Sequence, residues 1–427
     1  MGLNAQPEED LERRVVVTGI GIIAPNGIGK ELYWKALAEG KSGIKQIKGF
    51  DVNSFPTQIA GEVQDFDSSD FMSPRDVKRT ARTTQFAIAA AKMAVSDSQL
   101  KIEEESEVGV AMGVSASASD VVETHHALFM ERGVSRVSPF LVTSAIPNAS
   151  ASNISILLGC KGAVTTISNS CPAGLDAIGS AFGRIRDSKD DVFIAGGTDA
   201  QVTPFGLAML CAPRIMSTRN DDPEGASRPF DRTRDGGILS EGVGVLVLEE
   251  MQHAMNRGAH IYAEILGYAN RADGIGVYDE EILESGVKRA MALALKDAHI
   301  KPQEVDYICA HAPSDEFDRI ESIAIKQVFG KHAYEIPVSS IKSMIGNPLS
   351  AAGPLQVVAS IMVLERGIIP PTINHKSPDK DCDLDYVPGK ARECKGINTI
   401  LINTHGFGGI NSTLIIRRYS NSNQIPR

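Results

Sequence analysis

The same order of strands and helices occurs twice along this chain, and that repetition limits the fold more than any other feature. β-Branched and apolar runs alternate with stretches of helical periodicity in both halves, with no linker between them. Strands are predicted over 14–21, 108–114, 192–198 and 242–250, then from Ile261 and over 305–310, 336–340, 398–404 and 413–417. Helices are predicted over 30–40, 73–96, 283–298 and 351–366. This pattern predicts an α/β fold built by fusion of two like halves, residues 14–252 and 253–420.

Composition and charge favour an α/β enzyme and argue against several classes of partner. Hydrophobic residues make up 42% of the 427 residues, but aromatic residues only 5%. The net charge of −10 argues against nucleic acid or an anionic membrane as the main partner. Six cysteines lie at irregular spacings without a Cys-x-x-Cys pair. This indicates neither a zinc site nor a disulfide framework, and it predicts a reducing, cytoplasmic location.

Signals for export, membrane insertion or nucleotide binding are weak or missing. The acidic residues Glu8, Glu9 and Asp10 precede the first apolar run, which is unlike a signal peptide. No apolar run approaches the roughly 20 residues that a membrane-spanning helix needs. Gly19 and Gly21 follow the first strand, but they lack the third glycine and the acidic residue of a dinucleotide-binding motif. We therefore expect a tight turn there.

Cys171 stands at the junction of a β-branched run and a helix that begins with small residues. The run Thr165–Ser170 ends at the cysteine, and Pro-Ala-Gly follows it. A thiol at a helix N-terminus is biased toward the thiolate, which is the form that attacks carbonyl carbons. A buried structural cysteine is the alternative. The strand-turn-helix context makes Cys171 a candidate nucleophile.

Three loops of the second half end predicted strands and carry polar side chains. His311 follows one strand, Lys342 and Asn347 follow the next, and the segment Gly406-Phe-Gly-Gly follows a third. The carboxyl ends of strands are where sites assemble in α/β sheets, so these loops are expected to converge on Cys171. His311 by itself is equally compatible with a structural role.

A basic stripe is predicted on the helix over 73–96. Arg75, Lys78, Arg79 and Arg82 recur there at intervals of three and four residues. Such a stripe is often only a solvated helix face. In a chain this acidic, it is also a candidate landing site for an acidic partner.

Taken together, these motifs resemble the β-ketoacyl-acyl carrier protein synthases of the type II branch, which have the thiolase fold. The similarity is carried by Cys171, by His311, by Lys342 in Lys-Ser-Met-x-Gly and by Gly406-Phe-Gly-Gly, and it runs over nearly the whole chain. It implies a duplicated, five-layered αβαβα fold and a dimer, either of identical chains or with a related ketosynthase-like chain. It also implies a decarboxylative Claisen condensation without a cofactor, because acyl groups arrive on the phosphopantetheine arm of an acyl carrier protein.

The resemblance assigns a role to each candidate residue. Cys171 takes the acyl group, and the backbone N–H groups of Cys171 and Phe407 hold the thioester oxyanion. His311 and Asn347 hold the enolate oxygen, and Phe407 is the gating side chain. Lys342 is expected to fix the loops, with Asp318 and Glu321 as its charge partners. The face expected to receive the carrier protein consists of Arg75, Lys78, Arg79 and Arg214.

Several positions depart from the family pattern. Asn347 replaces the second active-site histidine, which leaves a Cys-His-Asn trio like that of type III synthases; asparagine donates hydrogen bonds but carries no proton or charge. The loop 312–316 reads Ala-Pro-Ser-Asp-Glu in place of Gly-Thr-x-Thr-Pro, whose threonines bind the pantetheine arm. Gln356 replaces a glutamate. His405 replaces an aromatic residue, and it either supplies a second imidazole or fills a packing slot.

Two classes of function follow from this pattern. The first is an active condensing enzyme of polyketide or specialised fatty acid biosynthesis, or a non-elongating acyltransferase, that uses Cys171, His311 and Asn347. The second is a partner subunit that resembles a chain-length factor. Retention of the cysteine favours the enzyme, and the altered loop 312–316 favours the partner subunit.

Overall fold

The computed structural model describes residues 13–274 and 280–420, so the acidic N-terminal segment lies outside the described residues. The strands are β1 Val15–Ala24, β2 Gly27–Ile28, β3 Lys45–Gln46, β4 Ile59–Ala60, β5 Gly109–Gly113, β6 Val164–Ile167, β7 Val192–Asp199, β8 Gly242–Glu250, β9 Ala263–Ala272, β10 Tyr307–Cys309, β11 Val338–Ser339, β12 Ile368–Ile369, β13 Arg392–Glu393, β14 Thr399–Gly406 and β15 Ile410–Arg418.

The helices are α1 Lys30–Ala38, α2 Pro74–Val77, α3 Arg82–Ser98, α4 Ser119–Arg132, α5 Leu141–Ala145, α6 Ala149–Leu158, α7 Ala173–Arg186, α8 Pro204–Cys211, α9 Pro223–Ala226, α10 Met251–Asn256, α11 Glu280–Asp297, α12 Phe317–Phe329, α13 Lys342–Ile345 and α14 Ala352–Arg366.

Strand order repeats between the two halves of the chain. The first half runs β1-β8-β7-β5-β6, and the second runs β9-β15-β14-β10-β11. In each half the first, fifth, fourth, second and third strands lie side by side. The outer three strands are parallel, and the fifth strand is antiparallel to both neighbours. The halves meet where β1 pairs with β9 over three residues. The predicted internal repetition is therefore present in the topology, whereas separate domains at 14–252 and 253–420 stay a prediction.

Five layers follow from the helix contacts. Helices α7 and α14 pack against each other and each contacts strands of both halves, so they form the middle layer. Helices α3 and α6 cover the outer face of the first half, and α11 and α12 cover that of the second. One apolar cluster fills the middle of this arrangement, and two others lie under the outer helices. Burial on both faces explains why strands such as β1, VVVTGIGIIA, read as nearly continuous apolar runs. This strand continues through Gly19 and Gly21 to Ala24, so the tight turn expected at these glycines is wrong.

The single helix predicted over 73–96 is wrong, because the structure divides it into α2 and α3. Ser73 caps α2, and Ala81 is extended with ψ of 158°. Arg82 then begins α3, where its guanidinium donates to both carboxylate oxygens of Glu241 at 2.7 and 2.9 Å. The basic stripe is therefore interrupted. Its first residues stand on a short surface helix, and the charge of Arg82 is used inside the molecule.

Candidate active site

Cys171 lies on a tight turn between β6 and α7. Ser170 has a φ of 67°, in the left-handed region, and its carbonyl accepts a hydrogen bond from the Ala173 N–H at 3.0 Å. This turn presents the cysteine at the start of a helix of 14 residues. The cysteine is only 2% exposed. It belongs to an apolar cluster with Leu207, Met216, Leu239 and Leu349.

Burial changes the expected ionisation of this thiol. The position at a helix N-terminus predicts a bias toward thiolate, but burial raises the pKa of Cys171 above its ordinary value. The Lys342 ammonium and the Asn347 amide oppose that rise. The resting residue is therefore a thiol, and its proton must leave when the sulfur attacks.

His311 and Lys342 form the best-defined polar contact of the site. The Lys342 ammonium donates to the His311 carbonyl at 2.6 Å and lies 3.0 Å from His311 Nδ1. An ammonium has no acceptor, so Nδ1 must be the acceptor and the neutral ring carries its proton on Nε2. Burial, Lys342 and His405 hold the pKa of His311 well below its usual value. His311 is thus a neutral imidazole with a fixed tautomer, whose Nε2–H is free to donate.

Burial also lowers the pKa of Lys342 to about 8, against the attraction of Cys171 and Glu321. Across the residues that the structure describes, no hydrogen bond joins Lys342 to Glu321 or to Asp318. The expected charge pairing with these carboxylates therefore acts through space, and the direct contact of the ammonium is with His311.

The two carboxylates hold backbone instead. Glu321 accepts from the N–H groups of His311 at 3.1 Å and Ala312 at 3.0 Å, and from the Asn403 amide at 3.0 Å. Asp318 accepts from the N–H groups of Phe230 at 2.7 Å and Ser314 at 3.1 Å. Asp318 and Glu321 both lie on the buried face of α12. From there, both side chains hold the loop after β10 in place.

Asn347 contacts the nucleophile directly. Its Nδ2 lies 3.7 Å from Cys171 Sγ. Its backbone is fixed by a bond from its N–H to the Ile238 carbonyl at 2.7 Å, and its own carbonyl accepts from Ser240 at 3.1 Å. Its Oδ1 is buried without a partner among the described residues. The amide therefore turns its donor toward the sulfur.

The β14–β15 hairpin brings Phe407 to the same place. A Cβ added to Gly406 would lie 2.5 Å from Pro172 Cδ and 3.0 Å from Ser170 Cβ. Only a glycine lets the hairpin approach both neighbours of Cys171 so closely. Phe407 follows at the turn and is 43% exposed. The backbone N–H groups assigned to the oxyanion thus stand on two segments in contact.

Phe407 and Asn347 line one cavity of about 30 Å³. Its other lining residues are Leu210, Ile215, Met216, Gly237, Ile238, Leu239, Pro313, Asp315 and Leu349. This volume is far below that of an acyl chain. Occupation by a substrate therefore requires side chains to move.

Two residues near this site make contacts that the sequence alone did not indicate. Asp315 lines the cavity, and burial raises its pKa to about 6. The Gln356 amide donates to the carbonyls of Ala310 at 2.9 Å and Asn403 at 3.0 Å, so it ties the end of β10 to β14. The only available signals were the unusual loop 312–316 and the glutamine itself, and neither indicates these contacts without the tertiary structure.

The residues expected to receive a carrier protein lie at the surface. Arg75, Lys78 and Arg214 are exposed, and the Arg79 guanidinium stacks over the Phe140 ring at 4.1 Å from its centroid. Within 13–274 and 280–420, no helix is long and apolar enough to cross a membrane. The same residues contain no group of three or more His, Cys, Asp or Glu side chains placed to hold a metal ion.

Comparisons with known proteins agree with the geometry. Residues 12–254 match the family model for the beta-ketoacyl synthase N-terminal domain, and 262–376 match that for the C-terminal domain. The chain is 43% identical over 410 residues to 3-oxoacyl-[acyl-carrier-protein] synthase 2 of Coxiella burnetii, with 95% of this chain and 99% of that protein covered. It is 39% identical over 423 residues to the granaticin polyketide putative beta-ketoacyl synthase 1 of Streptomyces violaceoruber, with 96% and 99% covered.

Solved structures give the same result. A type II polyketide synthase ketosynthase in complex with its acyl-carrier protein superposes with a TM-score of 0.88 and 35% identity, over 96% of this chain and all (100%) of that one. The ishigamide ketosynthase/chain length factor gives a TM-score of 0.89 and 33% identity, with the same coverage of 96% and 100%. These neighbours confirm the predicted thiolase fold.

Proposed function

The chain belongs to the β-ketoacyl synthase family and is an acyltransferase of that type, and on this premise we propose that it condenses a Cys171-bound acyl group with a malonyl unit. The observation that carries the proposal is the approach of the Asn347 amide to the Cys171 sulfur at 3.7 Å. Lys342, whose charge acts on Cys171, also fixes the tautomer of the His311 ring. The relatives at 43% and 39% identity are named as a 3-oxoacyl-[acyl-carrier-protein] synthase and a polyketide putative beta-ketoacyl synthase.

In the first step, the Cys171 sulfur attacks the thioester carbon of an acyl group carried on a phosphopantetheine arm. A new C–S bond forms, the arm leaves as thiolate, and it takes the proton that the Cys171 thiol gives up. The N–H groups of Cys171 and Phe407 stabilise the oxyanion between these events. The apolar cluster around Cys171 excludes water from the acyl-enzyme.

In the second step, the malonyl unit loses CO2 and its electron pair passes to an enolate. His311 Nε2–H and Asn347 Nδ2–H are the two donors proposed for the enolate oxygen. The enolate carbon attacks the acyl carbon, the bond to Cys171 breaks, and the released thiolate takes one proton from water. Both donors are neutral, so we expect a weaker stabilisation than a cationic donor would give.

The partners and location belong to the same proposal. We propose that the substrates arrive on an acyl carrier protein that docks at Arg75, Lys78, Arg79 and Arg214, without a cofactor. A dimer of identical or related chains is supported by the assembly named for the ishigamide protein. A cytoplasmic location is supported by the six cysteines, which are all free thiols.

A partner-subunit function resembling a chain-length factor is the second candidate. It is favoured by the loop after His311, where Ser314 is fully buried and its hydroxyl oxygen accepts from the Arg228 N–H at 3.0 Å. This candidate predicts that Cys171 never becomes acylated.

Intact-mass spectrometry after incubation with acyl carrier proteins tests the proposal. We expect one acyl adduct that is lost in Cys171→Ala and kept in Cys211→Ala, a matched control because Cys211 belongs to the same apolar cluster. Addition of malonyl carrier should then release CO2 and yield an elongated product. Acyl transfer without release of CO2 would identify a non-elongating acyltransferase. If no carrier, including the cognate one, gives an adduct, the partner-subunit function is supported instead.

A further inference from the structure

His405 is a buried histidine at the end of β14, beside the site but outside the mechanism described above. It is 2% exposed. Its ring meets the His311 ring at 5.2 Å between centroids and an interplanar angle of 63°. Its Nε2 lies 3.5 Å from Glu321 Oε1, which is long for a hydrogen bond. Among the described residues, neither ring nitrogen has a hydrogen-bond partner.

A packing role alone does not account for this ring. Leaving a buried polar group unpaired costs about 1–3 kcal/mol, and an apolar ring of similar size would avoid that cost. His405 therefore lowers the stability of the folded chain at a place where the chemistry has lost an ionisable group, because Asn347 cannot carry a proton. Unpaired groups of this kind call for an explanation by function.

The charged and titratable groups around His405 come from every neighbouring element. His311 faces it from the loop after β10, and Glu321 faces it from α12. Asp273, after β9, interacts with it electrostatically, and Lys342 of α13 reaches it through His311. On β15 the cross-strand partner is the neutral Asn411. Glu321 is thus the carboxylate placed to stabilise a positive charge on His405.

Glu321 connects His405 to the proposed chemistry. The same Oε1 that lies near His405 Nε2 accepts the His311 backbone N–H at 3.1 Å, and Oε2 accepts from Ala312. The His405 ring therefore acts on His311 in two ways. It lies next to the carboxylate that holds the His311 backbone, and its edge contact helps to fix the orientation of the His311 ring, whose Nε2–H is the proposed donor.

We propose that His405 is a positioning residue for malonyl decarboxylation, which acts through Glu321 and His311 and supplies a second imidazole beside a site whose position 347 holds an amide. This inference rests on the proposed function. No bond to His405 forms or breaks during the reaction.

Three variants test the proposal. His405→Phe keeps a ring of similar size and removes both nitrogens; His405→Gln keeps a neutral donor within reach of Glu321. His375→Phe is the matched control, since His375 is a half-buried histidine outside the site with its Nδ1 also unpartnered. Rates of Cys171 acylation and of CO2 release from malonyl carrier are measured from pH 6 to pH 8.

For wild type and His375→Phe, we expect equal rates of both steps at each pH. His405→Phe should release CO2 about 10-fold more slowly than wild type, with acylation unchanged. His405→Gln should recover part of the lost rate, because its amide can still donate to Glu321. The unfolding midpoint of His405→Phe should equal or exceed that of wild type, which separates this loss from misfolding.

Unchanged CO2 release in His405→Phe would overturn the proposal and leave a packing residue. A readout independent of activity is NMR of 13Cε1-labelled histidine. The His311 resonance should shift in His405→Phe and return toward its wild-type position in His405→Gln. If this coupling is present but no variant, wild type included, releases CO2, then the proposed function fails and the coupling of His405 to His311 stands.

Discussion

Asn347 is the residue at which this chain differs most from the pattern that its sequence resembles. Its amide donates toward the Cys171 sulfur, and its backbone is held on both sides by the segment Ile238–Ser240. The backbone at this position is therefore held in place, and the strength of the hydrogen bond that it offers depends on the chemistry of the side chain. An amide supplies a neutral hydrogen bond, whereas an imidazolium also supplies charge.

Asn347→His should raise malonyl decarboxylation by about 10-fold if the strength of this donor limits the rate. CO2 release from malonyl carrier measures the effect, with Asn347→Leu as the control that removes the donor and should lower the rate. An unchanged rate in Asn347→His would instead mean that another feature of the site, the loop 312–316 or His405, limits the rate.

Lys342 gives the site an alkaline limit. Its pKa is lowered to about 8, so the ammonium is present at pH 7 and is lost as the pH rises through 8. Loss of that charge removes the attraction that favours the Cys171 thiolate. We expect CO2 release to fall above pH 8 in wild type. Lys342→Gln should release CO2 more slowly than wild type at neutral pH, and its rate should not fall further above pH 8. A fall above pH 8 that persists in the variant would mean that another group causes it.

At the scale of elements, the site depends on the contact between the β14–β15 hairpin and the turn before α7. Gly406 makes this contact possible, because the space that a side chain would occupy is already filled by Pro172 and Ser170. Gln356 of α14 adds a second tie, since its amide joins the ends of β10 and β14. The hairpin, the turn and the loop after β10 thus keep a common geometry.

Gly406→Ala should push the hairpin away from Cys171, at a cost of about 1–3 kcal/mol in the free energy of unfolding. Acylation of Cys171 should fall with it, because the Phe407 N–H moves out of reach of the oxyanion. Gly183→Ala is the control: it lies within α7 with open space around its Cα, and it should stabilise the protein by up to about 1 kcal/mol. Normal acylation in Gly406→Ala would show that the hairpin does not contribute to the oxyanion site.

At the scale of the whole molecule, several apolar side chains are exposed, and we expect them to form one face that a second chain covers. Strand β6 is the edge of the sheet in the described chain, and its Val164 is 44% exposed. Ile156 of α6 and Phe205 of α8 are 74% and 67% exposed. An open edge strand beside apolar side chains is typical of a surface that a second chain covers.

We expect a dimer that pairs through this face. Phe205→Glu and Val164→Lys should each shift the protein toward monomer, because they place a charge where apolar surface is buried. Sedimentation equilibrium measures the shift. Tyr334→Glu, at an exposed aromatic residue of another surface, should leave the dimer intact. A wild-type protein that is monomeric at all concentrations would contradict the expectation.

The sequence by itself determined the repeated order of elements and the chemical identity of the site. Periodicities of two and 3.6 residues are local properties, so most strands of the main sheet and the helices α1, α11 and α14 were predicted to within a few residues. Other helices, such as α4, α6 and α12, were not predicted. The helix over 73–96 was wrong because the chain is extended at Ala81, between α2 and α3. Arg82 then binds Glu241, which lies 159 residues away, and helical periodicity cannot register that contact.

Only the tertiary structure decided how the site residues act on one another. It placed Asn347 against Cys171, directed the Lys342 ammonium to His311 rather than to a carboxylate, and buried the thiol deeply enough to raise its pKa. These outcomes depend on distances between segments more than 30 residues apart and on the water that packing removes. Neither quantity is present in the local pattern of a chain, because both arise only when its halves close around a shared core.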